Sequence, residues 1–251
     1  MKTGIRFLVF VFAVCLLGVS GTAFGNDMIA QGDALYDKHG VEDLKAAADL
    51  YQKVLDAEPG NYEACWKLAR SLRDYGEESK RANLPNFEDI CAEYGKKAME
   101  AGKKATELNP AGVEGYYYYG ISVGIYSDGV SILTAMSEGL KDITQTNLEK
   151  AYQIDKTFHN GGPILALGRF WYVLPWPVRD YDIAIQYLRE YQKTEWFNSK
   201  PEGKIYLAEA LLRNGASGDE KKEAFGFLEE LSASQNPYFA NWAKKLMEEY
   251  K

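Results

Sequence analysis

The chain has 251 residues, with 36 acidic against 29 basic side chains and a formal charge of −7. Acids and bases are interleaved, so no basic face is available to nucleic acid, and the length suffices for a large core or an array of repeats. Aromatic residues make up 14% of the chain, a surplus that needs a place to sit.

The chain opens with Lys2 and Arg6, an apolar run over residues 7–19, and the small residues Ser20, Gly21, Thr22, Ala23 and Gly25 around Phe24. Ala23 and Gly25 stand where signal peptidase reads. This pattern predicts a secretory signal over residues 1–25, too short to anchor in a bilayer. Cys15 lies inside the apolar run behind Val14, which is not where a lipidated cysteine stands. The expected mature protein is one helical-repeat domain over residues 26–251, in the periplasm, with a formal charge of −9 and no transmembrane span.

Four later stretches resemble one another. They are "DLYQKVLDAEPGNYEACWKLARSL" from residue 49, "KKATELNPAGVEGYYYYGISV" from 103, "LEKAYQIDKTFHNGGPILALGRFW" from 148 and "YLREYQKTEWFNSKPEGKIYLAEALL" from 187. Each closes one amphipathic helix, breaks, and starts another. Apolar or small residues recur at helical spacing at Ala47, Tyr51 and Val54, at Cys65, Leu68, Ala69 and Leu72, and at Tyr116, Tyr119, Gly120 and Val123. By that periodicity Tyr117 and Tyr118 fall outside the core stripe. Ala69, Gly120, Gly168 and Ala208 allow a partner helix to come close. Pro59 and Pro110 end helices. A helix with a single apolar stripe cannot stand alone, so pairs must stack on pairs. The last segment starts at Asn236 as N-cap with Pro237 in the first turn. Phe239, Trp242 and Leu246 then form one stripe, as in a capping helix.

Cys65 and Cys91 each open a helix of what reads as an antiparallel pair. This sets Cys65 beside residues 101–105 and Cys91 beside Tyr75, on the order of 15 Å apart at 1.5 Å per residue. A disulfide needs Cα atoms within about 7 Å, so two buried free thiols are expected.

The stretch "HNGGPILALGRFWYVLPWPVRD", residues 159–180, has glycines suited to a phosphate loop. No strand precedes them and no Gly-Lys-Ser/Thr follows, so that chemistry is set aside. The stretch reads as the start of a helix with Pro163 in its first turn, a packing stripe of Ile164, Leu167, Gly168 and Trp171, an exit through Leu174-Pro175-Trp176-Pro177, and Asp180 capping the next helix.

The recurring pattern at Cys65, Leu68-Ala69, Leu72, Ala105 and Pro110, repeated at Tyr116, Tyr119-Gly120 and Val123, and marked again at Leu167-Gly168 and Leu207-Ala208, resembles the tetratricopeptide repeat. The usual period is 34; Pro59 and Pro110 are 51 residues apart, and Pro110 and Lys156 are 46 apart. The resemblance implies an all-α, right-handed superhelical stack of tetratricopeptide-like helix pairs with a C-terminal capping helix. It implies four to five units, with insertions in the second and third.

A second resemblance rests on Gly161-Gly162-Pro163, Leu167-Gly168-Arg169 with its aromatic neighbours, the Pro175-Trp176-Pro177 exit, the opening "GDALYDKHG", and "NLEKAYQIDKTFHNGGP". Over about residues 29–231 the chain looks like the T-component proteins of TRAP transporters. The resemblance implies a periplasmic solute-binding protein as partner, a homotrimer, and an apolar channel or cleft able to hold a hydrophobic ligand.

In tetratricopeptide arrays the first helices line an inner groove. Carried over residue by residue, the groove positions include Trp66, Tyr117, Leu165 and Ile205 at one repeat position, Arg70, Ile121, Arg169 and Glu209 at another, and Tyr172 and Leu212 at a third. Large apolar side chains at one position point to a binding surface. The alternative is that the inserted segment "GVSILTAMSEGLK" folds back and covers them as core. Arg169, beside Trp171 and Tyr172, suits a ligand carboxylate, or else a structural ion pair with an acid such as Asp180 or stacking on a ring. Catalysis finds no footing. His39 and His159 are far apart in sequence, no metal-binding or nucleophile motif occurs, and Glu77-Glu78 and Glu229-Glu230 fall on polar faces. No cofactor is expected.

Overall fold

The computed structural model describes residues 25–251. The expected leader therefore lies, apart from Gly25, outside the described residues. Among those described, the regular elements are all helical. They are α1 (25–36), α2 (Val41–Ala57), α3 (Tyr62–Arg81), α4 (Phe87–Leu108), α5 (Val113–Gly129), α6 (Ile132–Ser137), α7 (Leu140–Asp155), α8 (Phe158–Val173), α9 (Tyr181–Gln192), α10 (Pro201–Arg213), α11 (Gly218–Ser232) and α12 (Pro237–Glu249). The chain divides into two compact units, the first ending at Glu138 and the second running Gly139–Lys251.

In the first unit, α2 ends where Pro59 and Gly60 break the helix, and Asn61 caps α3 by accepting from the Ala64 amide at 3.0 Å. Ala47, Tyr51, Val54, Cys65, Leu68, Ala69 and Leu72 are all buried, so the 3.6-residue periodicity finds the seam between these helices. Helix α4 runs back along α3, and the Cys91 thiol at its start faces the Gly76 carbonyl at 3.7 Å. Cys65 and Cys91 are separate buried thiols.

Glycines bring α4 and α5 into backbone contact. A Cβ on Gly95 would stand 2.6 Å from the Tyr126 amide nitrogen, one on Gly102 2.7 Å from Tyr119 Cα, and one on Gly129 2.2 Å from the Ala92 nitrogen. Helix α5 packs on α3 as well as α4. It is enclosed on more than one side, and this corrects the reading of its tyrosines. Tyr117 and Tyr118 are buried, at 7% and 3% exposure, whereas Tyr116 and Tyr119 are half-buried. A helix gripped between two others has no single stripe for periodicity to detect.

Helix α6 is capped by Ser131 and leaves Ile132, Leu133 and Met136 exposed at 65%, 78% and 70%. The inserted segment, expected in one reading to act as a cover, is itself open to solvent.

In the second unit, the turn from α7 into α8 passes through His159, Asn160 and Gly161 in the left-handed region, with φ of 51°, 59° and 74°. Each non-glycine residue there costs about 1–2 kcal/mol, and histidine and asparagine are among those that tolerate it best. Regular helix resumes at Gly162, with Pro163 in its first turn as read from sequence. Gly168 lets α9 approach, with Leu188 Cγ 2.6 Å from the place of a Cβ. Asp180 caps α9, accepting from the Ile183 amide at 2.9 Å. The core of this unit gathers Ile164, Leu188, Tyr191, Ile205, Leu211, Leu228 and Phe239. Asn236 caps α12 with a bond from the Tyr238 amide at 3.0 Å, and Phe239 and Leu246 seal the end of the stack.

The glycines separate packing from propensity. Gly102→Ala should lower stability by about 2 kcal/mol, because the α4–α5 backbones must part. Gly124→Ala, in the same pair of helices but with nothing within 4 Å, should raise it by about 0.5–1 kcal/mol through helix propensity and reduced unfolded-state entropy. Thermal unfolding of both variants checks this. Equal effects of one sign would refute the close-packing account.

Candidate functional site

In the first unit, α1 and α3 present a cluster of charge and rings. The Arg70 guanidinium lies 3.6 Å from the Tyr36 ring centroid and 5.1 Å from that of Trp66. Asp33 accepts from the buried Lys67 ammonium at 2.6 Å and from the Tyr51 hydroxyl at 2.7 Å, with an Arg70 nitrogen at 3.5 Å. Burial alone would raise the Asp33 pKa. The bonds from Lys67 and Tyr51 and the nearby positive charges outweigh it and hold the carboxyl below its ordinary value. Tyr36 donates to Asp74 at 2.5 Å, and Arg73 pairs with Asp74 at 2.8 Å. Trp66 stacks on Tyr118 at 5.8 Å and 8°. Cations and acids are matched side by side here.

In the second unit, α8, α10 and α12 build a similar cluster. Arg169 stands over three rings, at 5.2 Å from Tyr172, 4.7 Å from Tyr206 and 5.0 Å from Trp242. It donates to the Tyr172 hydroxyl, which in turn donates to Glu209 at 3.2 Å. Glu209 lies 3.7 Å from Arg169 and 2.8 Å from Arg213. Glu209 is 5% exposed, yet the side chains of Arg169 and Arg213 remain 33% and 37% exposed. Burial pushes the Tyr172 phenol well above its ordinary range, so it stays protonated and bridges cation and anion.

The sequence-derived positions therefore divide. Trp66, Arg70 and Ile121 in the first unit, and Leu165 and Arg169 in the second, are half-buried. Tyr117, Tyr172 and Ile205 are buried, at 7%, 3% and 0%. They are core rather than open lining. Tyr117 is enclosed because α5 is gripped by two helices. Ile205 is enclosed because α10 packs against α8, α9, α11 and α12 together. Arg169 pairs with Glu209 instead of Asp180, whose carboxylate is occupied by its cap. Sequence reading missed Asp33, Tyr36, Tyr206 and Trp242 as partners. The one available signal was Glu209, which stands at the same repeat position as Arg70 and Arg169.

A cavity of about 500 Å³ opens between α2, α3 and α4, away from the predicted positions. Cys65, Leu68 and Leu72 form its floor, with Lys45, Lys97 and Lys104 at its rim. No cluster of three or more metal-ligating side chains occurs among the described residues. No helix among them is long and apolar enough to cross a membrane.

Stacked antiparallel pairs with a closing helix define a tetratricopeptide-repeat fold. The structure is similar to TTC0263, a thermophilic TPR protein of Thermus thermophilus, at 19% identity and TM-score 0.60, covering 89% of this chain and 99% of that one. It is also similar to MamA, at 18% identity and TM-score 0.53, covering 84% and 96% of the two chains. None of the curated proteins matches the chain. The chain belongs to the family described as RMD1-3, Regulator of microtubule dynamics protein 1-3, whose model matches residues 28–174. That match spans Arg70 and Arg169 and stops short of Glu209 and Trp242.

Two measurements test this arrangement. Removing the shared carboxylate by Glu209→Gln should cost about 2 kcal/mol. This lies below the roughly 3–5 kcal/mol of a fully buried pair because both guanidiniums keep access to water; chemical unfolding reads it. Burial raises the Cys65 thiol pKa and pushes that of Cys91 up to about 11. A chain lacking the first 25 residues should therefore show no rapid thiol titration near neutral pH, and two thiols after denaturation. Prompt reaction in the native protein would place them at the surface.

Proposed function

We propose that this protein is a non-catalytic scaffold that binds a protein partner, working outside the cytosol as an accessory of a TRAP-type transporter. The observations that carry the scaffold reading are two separate half-buried groupings of rings and cations, Trp66 with Arg70 in the first unit and Arg169 with its rings in the second, each held on a tetratricopeptide fold. Aromatic and arginine side chains that are rigid yet accessible are the residues that dominate protein interfaces.

The partner in this reading is the periplasmic solute-binding protein. The motifs in residues 159–180 and the leader pattern over residues 1–25 support it, and the tetratricopeptide fold is compatible with a protein partner. A homotrimer and a hydrophobic ligand belong to the same reading. The alternative is a general cell-envelope scaffold for peptides or assembly factors, and the two make different demands on one experiment.

The test is titration of the solute-binding protein encoded beside this chain, if one is, against wild type and Trp66→Ala. The expected result is saturable binding that weakens at least about tenfold in the variant, the size of a modest interface hot spot. Binding that ignores Trp66→Ala moves the contact elsewhere. Absence of binding to any such protein removes the transporter assignment and leaves the general scaffold.

A further inference from the structure

Among the described residues, the large apolar side chains left exposed in the second unit are Val173, Trp176 and Val178, at 49%, 79% and 42%. All three lie where the chain leaves α8, and Trp176 is the one exposed tryptophan of the five in the chain. The turn that carries them is pinned. The Val178 and Arg179 amides donate to the Pro175 carbonyl at 3.0 Å and 3.2 Å, and the Asp180 amide donates to the Trp171 carbonyl at 3.0 Å. Pro175 and Pro177 restrict the backbone further. Covering these side chains therefore costs little ordering of the chain.

The charged residue nearest Trp176 in sequence is Arg179. It is exposed, faces the Tyr181 ring at 5.3 Å and meets no carboxylate among the described residues. The two acids that follow are engaged elsewhere. Asp180 accepts from the Ile183 amide at the start of α9, and Asp182 accepts from the Asn214 side chain at 3.2 Å.

Size decides what this turn can meet. Burying one tryptophan covers about 150–250 Å². With two partly exposed valines added, the turn stays well short of the roughly 800 Å² that each partner gives to a stable protein interface. A bilayer surface asks for less. It takes an aromatic ring at the depth of the headgroups, aliphatic groups beside it, and a cation reaching back to a phosphate. We propose that residues 173–179 form a membrane-surface contact: Trp176, Val173 and Val178 enter the boundary between headgroups and acyl chains of a phospholipid bilayer, and Arg179 takes a headgroup phosphate. Helix α6 in the first unit exposes Ile132, Leu133 and Met136, but it carries neither ring nor cation and serves as the control. The proposal does not rest on the transporter reading.

The experiment uses the chain from residue 26 onward, so that the apolar leader does not itself partition. The probes are vesicles of phosphatidylcholine alone and of phosphatidylcholine mixed equally with phosphatidylglycerol. Co-sedimentation is one readout; the other is protection of tryptophan emission from an aqueous quencher. Wild type should bind the mixed vesicles at millimolar lipid and gain protection. Trp176→Ser, with unchanged thermal unfolding, should bind at least about tenfold more weakly and show no gain in protection. Val178→Asp should weaken binding to a similar degree. Arg179→Gln should weaken it about fivefold on the mixed vesicles and less on phosphatidylcholine alone. Leu133→Ser should bind as wild type. No vesicle binding, a Trp176→Ser or Arg179→Gln variant that binds as wild type, or a loss in Leu133→Ser equal to that in Trp176→Ser would each overturn the proposal. If vesicles are ignored while Trp176→Ser abolishes capture of the solute-binding protein, the turn is a protein contact and the lipid assignment is wrong. The Trp66→Ala titration is unaffected by any of these results, so the two readings fail separately.

Discussion

Close approach of helix backbones governs the first unit. Gly95, Gly102 and Gly129 remove the side chains that would keep α4 and α5 apart, and the gain is continuous van der Waals contact along the pair. A consequence reaches the candidate binding face. With α5 drawn onto α4 and held by α3, Tyr117 and Tyr118 turn into the core, and the half-buried Trp66 of α3 is left at the accessible surface. The second unit does the same with Gly168 on α8, where the place of a Cβ falls against Leu188.

Charge then has to be accommodated beside these packed rings. Arginine is the cation best suited to this, because a flat, weakly hydrated guanidinium stacks on an aromatic face while its edges still reach acceptors. Arg70 over Tyr36 and Arg169 over Tyr206 use the same device in the two units. The difference lies in the acids. Lys67 and Arg70 meet Asp33 and Glu63, a balanced set, whereas Arg169 and Arg213 divide one carboxylate.

Helix boundaries and most of the core were legible in the sequence because they depend on local signals: Pro59 and Pro110 as breaks, Asn236 and Asp180 as caps, and an apolar stripe on α2 and α3. The left-handed turn at His159 to Gly161 was legible only as a flexible start, since φ is decided by the packing of Gly161 against Tyr191 and Trp196. Helix α5 was misread for a physical reason. Periodicity reports one buried face, and α5 has more than one. The site was legible in part. The repeat position put Arg70 and Arg169 on half-buried helix faces, but their neighbours come from α1, α10 and α12, and no spacing along α3 or α8 encodes those distances. Ile205 follows the covered-core alternative, because a repeat register places a residue on a helix face without saying how many other helices cover that face.

The two clusters are built of side chains already held in place before any partner arrives. Arg169 is fixed by three rings, a phenol and a carboxylate, so a ligand meeting it forfeits little rotamer freedom on binding. The same ordering already pairs both guanidiniums with Glu209, so any acid brought to them would exchange one ion pair for a similar one. Without Glu209 between them, Arg169 and Arg213 would face one another as like charges, so the shared carboxylate is what lets two guanidiniums stand together beside packed rings.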